Sequence, residues 1–292
     1  MGDRKLITAL VTLYNPTKEN VENVCSIAEQ VDRVFACDNS RVDNSDLFTG
    51  CPEAVIYFPY KRNLGLPKAF NEALKMEKYW DGDSWIIFFD QDSKIDKGHI
   101  ETLINEYERI RKSGINIGFL GPIYYDTSSG KVEVPKAKHQ VTENSYVVSS
   151  IITSSMLTTY YTLKEIGFWN EDLFLDMADW DLCWRIQRSG KVSCLTNVIT
   201  LHHTLGLGRK KVGPISLKVT NPIREYYQIR DCLYLKREDY VPLKYKIRFV
   251  LMVHLRSYLH IKYLDHGEQR KMYIERAKAD YKKGVRGEFV PD

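Results

Sequence analysis

The chain has 292 residues, 43% apolar and 27% charged, the balance of a soluble globular protein rather than a disordered or fibrous one. Its net charge of +4 hides an asymmetry, because residues 200–292 carry 20 Lys/Arg against 10 Asp/Glu while residues 1–199 carry 22 against 28. No uncharged apolar stretch reaches the roughly 18 residues that a membrane-spanning helix needs, and the apolar run Leu6–Tyr14, ended by Asn15-Pro16, is too short for a signal peptide.

The six cysteines (25, 37, 51, 183, 194, 232) form no C-x-x-C pair and no zinc spacing. They are expected to be reduced and mostly buried, as in a cytoplasmic protein.

Leu6–Tyr14 reads as a first strand, central in a parallel sheet. After the Asn15-Pro16-Thr17 turn, Glu19–Gln30 places Val21, Val24, Ile27 and Ala28 on one helical face. Short strands are predicted at Arg33–Cys37 and Ala54–Phe58, which completes a βαβ start. The turn after the first strand lacks G-x-G-x-x-G, and no Walker A loop is present, so NAD and FAD are disfavoured. Asn63-Leu64-Gly65-Leu66-Pro67 opens a helix to about Tyr79. With Gly65 in the turn and Lys68 in the first turn, its N-terminus suits an anion at the sheet's carboxyl edge; an ordinary helical connection explains the same residues.

Trp85–Phe89 is a strand buried on both faces, and it breaks into Asp90-Gln91-Asp92. Alternation points positions 90 and 92 the same way, so two carboxylates face one guest at the edge where open α/β sheets bind ligands. Hard oxygen ligands of this kind suit Mg²⁺ or Mn²⁺ carrying a diphosphate. A solvated turn is the plainer explanation for an isolated D-x-D.

A helix over Gly98–Lys112 and a strand over Ile117–Pro122 follow, with a hairpin turn at 128–130, one strand over Val147–Leu157 and a short helix over Tyr161–Gly167. Asp176, Asp179 and Asp181 then gather around a helix that runs from Trp180 to Arg188 and stops at Ser189-Gly190. Helix capping accounts for one acid but does not require three. Lys191–Leu201 is a last strand, followed by His202-His203-Thr204-Leu205-Gly206, where His203 could serve a metal or a phosphate. The pattern as a whole predicts an α/β fold with a mostly parallel central sheet flanked by helices.

From Asn221 the chain is helical and basic, with aromatics interleaved. Pro242–Leu264 mixes bulky apolar residues with Lys and Arg, which fits either a helix lying in a membrane interface or one packed on the protein with a solvated face. Residues 1–220 are read as the α/β domain that carries the acidic motifs, and 221–292 as a helical, basic extension.

The motifs together resemble the family-2 inverting glycosyltransferases of the GT-A fold, and more narrowly the bacterial rhamnosyltransferases of surface-polysaccharide synthesis. The resemblance rests on Val11-Thr12-Leu13-Tyr14-Asn15, Asp38-Asn39-Ser40, Asn63-Leu64-Gly65 with Asn71, Asp90-Gln91-Asp92, Ala178-Asp179-Trp180-Asp181-Leu182 with Arg185, His203-Thr204-Leu205-Gly206, and Arg224-Glu225-Tyr226-Tyr227-Gln228-Ile229-Arg230. It covers about residues 5–240. Two departures stand out: Ala178 where many members have Glu, and Ser154-Ser155 where a Gly-containing or small pair is common.

The resemblance implies a Rossmann-like GT-A sheet, a nucleotide-sugar binding and catalytic role for residues 1–220, and single displacement at a sugar's anomeric carbon. Asp179 would be the base, and Asp176 and Asp181 would position the acceptor or the loop. Asn15, Asp38, Asn63, Gly65, Lys68, Asp90 and Gln91 would hold the nucleotide-sugar. Asp90, Asp92 and His203 would hold Mg²⁺ or Mn²⁺. The donor implied is dTDP-rhamnose, with a UDP-sugar as alternative. The acceptor would be a lipid-linked saccharide at the cytoplasmic face of the plasma membrane, with the basic C-terminal region on the anionic surface. A nucleotidyltransferase would want a Gly-rich basic loop after the first strand, which Tyr14-Asn15-Pro16-Thr17 is not. A non-catalytic nucleic-acid binder could use the basic last third but has no need of the acids at 90, 92 and 179, so no nucleic acid is expected.

Overall fold

The computed structural model describes residues 5–76, 80, 82–126, 131–133, 139–203 and 208–291. The predicted hairpin turn at 128–130 and the last residues of the helix predicted to Tyr79 lie outside them, as does the side chain of His203.

Strands β1 (Ile7–Leu13), β2 (Arg33–Asp38), β3 (Val55–Pro59) and β4 (Trp85–Asp90) run parallel in the order β3-β2-β1-β4. Helix α1 (Lys18–Ala28) joins β1 to β2, and α2 (Leu66–Leu74) joins β3 to β4. Thr17 caps α1 by accepting from the Asn20 N–H, and Asn20 Oδ1 accepts from the Thr17 N–H. Beyond β4 the order continues with β9 (Met156–Thr159), β5 (Ile117–Asp126), β10 (Val192–His203), β8 (Ser145–Val148) and β7 (His139–Gln140), while β6 (Lys131–Glu133) pairs with β5. Strand β9 is antiparallel to both β4 and β5, and β10 is parallel to β5. The predicted single strand over Val147–Leu157 is therefore two strands. The chain leaves the sheet after Val148 and re-enters at Met156, and its turn places Ser155 at φ 63.

Alternation decides which side chain meets which layer. Ala9, Val11, Leu13, Ile87 and Phe89 join the cluster under α1 and α3 (His99–Lys112), while Leu10, Ile86 and Phe88 join the cluster on the other face. Each fully buried Val, Leu, Ile or Phe among them contributes about 1.5–3 kcal/mol. Both faces are covered, which is why β1 and β4 read as unbroken apolar runs.

The second cluster extends into the C-terminal helices. α5 (Ala178–Arg188) supplies Leu182 and Trp184, and α6 (Arg224–Leu235) supplies Tyr226, Tyr227, Ile229 and Cys232. Phe249 of α7 (Leu243–Leu251), and Ile274 and Ala277 of α9 (Gly267–Lys283), complete it. α6 is tied down by buried ions as well as packing. Arg230 donates to Asp231 and to the Gly287 carbonyl, while Glu225 accepts from Arg256 and Arg270 and lies 2.6 Å from His260 Nδ1.

Candidate active site

Strand order reverses at β1, which has β2 on one side and β4 on the other, and the parallel register aligns Leu13 with Asp38 and Thr12 with Asp90. The carboxyl ends of three strands thus open on one edge, the place where a doubly wound sheet leaves a crevice. A cleft of about 330 Å³ lies there. It is lined by Thr12–Tyr14, Asn39, Asn63, Gly65 and Leu66, by Asp90 and Gln91, and by Phe174, Leu175, Ile223, Arg224, Tyr227 and Glu288.

Gly65 is required by a close approach. Its φ is 77, and a Cβ would lie 2.4 Å from the Phe174 carbonyl oxygen, which already accepts from the Leu66 N–H at 2.8 Å. This contact fixes the start of α2 against the loop before α5. Asn63 Oδ1 accepts from the Gly65 N–H, and Asn39 Oδ1 accepts from the Leu64 N–H, so the turn is held by side chains on both strands' ends.

The D-x-D turn is held as firmly. Gln91 Oε1 accepts from the Tyr14 N–H at 2.8 Å, and its carbonyl accepts from Asn20 and Asn23 of α1. Ser154, fully buried, donates to Asp90 Oδ2 at 2.8 Å and lies 2.8 Å from the Ser93 hydroxyl. Next to it, Ser155 Oγ lies 2.6 Å from His99 Nε2, and burial pushes His99 down to about 4, so this ring is neutral near pH 7. Ser154 thus supports Asp90 from behind, while Ser155 ties its own turn to His99 of α3. Asp92, two residues on from Asp90, is exposed and is not in the cleft lining.

Asp179 opens α5, following Met177 at φ 68. Its Oδ1 accepts from the Trp180 N–H at 2.8 Å. Asp179 keeps part of its surface in solvent but is set deep among protein atoms. Desolvation is the main cause that pushes its carboxyl up to about 7; the Trp180 N–H opposes this, and the charges of Asp176 and Asp90 add to it. Asp176 forms a two-point pair with Arg224, at 2.6 and 3.2 Å, and that guanidinium also feels Asp90 and Asp179. Three acids and one arginine therefore share one field; Asp90 and Arg224 line the cleft, whereas Asp176 and Asp179 are not in its lining.

Other predicted residues stand elsewhere. Asp181 is fully buried and accepts from Arg185, Tyr240 and Asn170, so it holds the loop before α5 and cannot touch an acceptor. Asp38 is also fully buried, its carboxylate taken by Ser40, Asn44 and Tyr57; Asn39 presents the cleft wall instead. Asn15 is exposed, and its N–H donates to Ser40 Oγ. Lys68 Nζ is 3.9 Å from Glu171 and is not in the cleft lining. Conversely, Arg224, Tyr227, Phe174 and Glu288 were not predicted as site residues. The first two lie in the Arg224–Arg230 segment already noted, whereas Glu288 returns from the chain's end to pair with Arg41 at 3.0 Å.

Among the described residues no group of three or more His, Cys, Asp and Glu could hold a metal unaided. Asp90 and Asp92 nonetheless fit Mg²⁺ or Mn²⁺, since all-oxygen sites of one or two carboxylates completed by substrate phosphates are usual for such ions.

Comparison with known proteins agrees with this layout. The model for Glycosyl transferase family 2 matches residues 8–169. The dTDP-rhamnosyl transferase RfbF of Shigella flexneri is 28% identical over 258 residues, 84% of each chain. Among solved structures, GalNAc-T7 with UDP, GalNAc and Mn²⁺ superposes with a TM-score of 0.60 at 12% identity, over 98% of this chain and 57% of that one. S. aureus TarS 1–349 superposes with a TM-score of 0.56 at 15% identity, over 96% of this chain and 81% of that one. The sheet is that of the GT-A glycosyltransferases, and the chain belongs to glycosyl transferase family 2.

Proposed function

We propose that the protein transfers L-rhamnose from dTDP-rhamnose, with inversion, to a lipid-linked saccharide in surface-polysaccharide synthesis. The observation that carries the reaction type is Asp179: a carboxyl raised to about 7 by burial, with the charges of Asp176 and of the cleft residue Asp90 adding to it. An acceptor hydroxyl needs a base whose affinity for protons is near the working pH, and a plain carboxylate is too weak. Likeness to the Shigella flexneri dTDP-rhamnosyl transferase supports the donor. A UDP-sugar is the second reading, favoured by the UDP in the GalNAc-T7 structure.

The donor's nucleoside would lie between Thr12–Tyr14, Asn39 and Asn63, with its diphosphate toward Asp90 and Gln91. Asp92 with Asp90 would hold Mg²⁺ or Mn²⁺, which supplies positive charge for the leaving diphosphate. Arg224 adds a fixed cation to the cleft lining, and Asp176 keeps it aimed. Asp179 takes the acceptor's proton as the hydroxyl attacks the anomeric carbon from the face opposite the diphosphate. No glycosyl-enzyme forms, so the configuration inverts.

The test is turnover across dTDP-rhamnose and UDP-sugars with Mg²⁺, Mn²⁺ or EDTA, supplying membrane lipid extract as acceptor. Metal-dependent release of dTDP from dTDP-rhamnose is the expected result. Turnover of a UDP-sugar in its place refutes the donor, and undiminished turnover in EDTA refutes the metal.

A further inference from the structure

The face of α7 that points away from the core carries an apolar ridge that no other described residue covers. Leu243, Ile247, Leu251 and Leu255 are 72%, 56%, 53% and 54% exposed, and Val250 and Tyr258 extend the same ridge. On the inner side Phe249, Met252, Val253 and His260 are buried. A four-residue spacing drifts around a 3.6-residue helix, but the chain makes a π-helical turn over Met252–Arg256 before α8 (Ser257–Tyr263) begins. That wider turn counters the drift and keeps Leu255 and Tyr258 in line with Leu251. Ser257 Oγ donates to the Met252 carbonyl across it.

The charges within the segment that carries the ridge are of one sign. Pro242–Leu264 contains five Lys or Arg and no Asp or Glu. Arg256 turns inward to Glu225 and Gln228, whereas Lys244, Arg248 and Lys262 are exposed beside the ridge. Beyond α8, Lys210 reaches Asp265 at 3.5 Å. This contact brings the hairpin of β11 (Arg209–Val212) and β12 (Ile215–Lys218) alongside, with Arg209, Lys210 and Lys211 exposed. Asp239, the nearest acid before the stretch, is paired with Arg188.

We infer that this ridge and its basic rim dock the protein in the headgroup region of an anionic membrane leaflet. A membrane fits better than a second copy, because a self-complementary interface would set these like charges against each other with no acid in the segment to answer them. An interfacial helix wants this layout: bulky apolar side chains on one face and Lys/Arg beside them. The ridge is also joined to the site. Trp180, the residue after Asp179, packs on Tyr245 and lies under Arg248 at 5.0 Å, so α7 rests against the start of α5. Docking here holds the acceptor side of the cleft near the leaflet; this purpose rests on the proposed lipid-linked acceptor, but the binding itself does not.

The experiment is co-sedimentation of the full chain with vesicles of phosphatidylglycerol and phosphatidylcholine, and with phosphatidylcholine alone, without donor or acceptor. Binding to the anionic vesicles only, weakened by salt, is expected. Removing Lys244 and Lys262 by alanine should cost about fivefold each in partitioning. The double variant Ile247→Glu, Leu251→Glu should lose about tenfold or more, since both side chains leave the apolar layer. Both positions are exposed, so the variant should keep its thermal melt and nucleotide binding, which are measured alongside. Absence of wild-type binding at low salt overturns the inference. So does a wild-type dimer by light scattering that the double variant abolishes while vesicle binding is unchanged. Failure of sugar transfer on every donor refutes the proposed function and leaves this result standing.

Discussion

Replacing Asp179 by Asn should make the protein more stable above neutral pH while removing its activity. The folded carboxyl titrates at about 7, against an ordinary value of 3.8. The folded state therefore keeps a proton that the unfolded chain has already released, and stability falls as pH rises through that window. A full shift of roughly three pH units corresponds to about 4 kcal/mol. Part of the Asp179 surface remains in solvent, so about half, ~2 kcal/mol, is the figure to expect. The substituted amide does not titrate, and its Oδ1 can still accept from the Trp180 N–H. The difference in Tm between Asp179→Asn and wild type should thus grow between pH 4 and pH 7, by about 3 °C, and stay level above. Differential scanning fluorimetry in a pH series reads it directly, because the other titrating groups are common to both proteins. A difference that stays constant with pH would show that Asp179 is an ordinary carboxylate, and its assignment as base would lose its physical ground.

Other consequences can be measured separately. The wild-type kcat/KM for transfer should fall about tenfold per pH unit below about 7, as the base is protonated; a flat profile from pH 5 to 7 contradicts this. Gly65→Ala should cost about 2 kcal/mol or more, because its Cβ meets backbone that cannot yield, and should raise the donor KM by displacing Phe174 from the cleft. An unchanged urea midpoint and KM would refute the close approach. Glu225→Gln leaves Arg256 and Arg270 without their carboxylate in the interior and should cost about 3–5 kcal/mol, read as a lower urea midpoint. Ser154→Ala should weaken activation by Mn²⁺ with little change in dTDP binding, since it removes the contacts to Asp90 and Ser93 and none to Asn39 or Asn63; equal loss of both would indicate a general collapse of the turn.

The strands were legible because their physics is local. β1 and β4 are buried on both faces and show it as continuous apolar runs, and the acids that end β4 mark the ligand edge. The base was legible through its neighbours, Asp176 among them, but its raised affinity for protons comes first from burial, and Asp90, 89 positions earlier in the chain, adds to the effect of Asp176. The Val147–Leu157 stretch misled because Val, Ile and Thr favour strands wherever they stand. Nothing local shows that Ser154 must reach Asp90, which is why the chain turns there. Asp181 has Arg185 four residues on, a spacing that announces a helical ion pair, and the structure buries that pair. Glu288 carries no signal at all: it reaches the cleft because Phe289 is held between Tyr226 and Tyr273, packing between segments far apart in the chain.

The central claim, direct displacement with Asp179 as base, is tested most directly by comparing wild type with Asp179→Asn in two assays on the same samples: dTDP binding by calorimetry and rhamnose transfer from dTDP-rhamnose. The account predicts that binding stays within about twofold while transfer drops by about 100-fold or more, the weight of a positioned general base. Transfer within a few-fold of wild type, with binding intact, would contradict it.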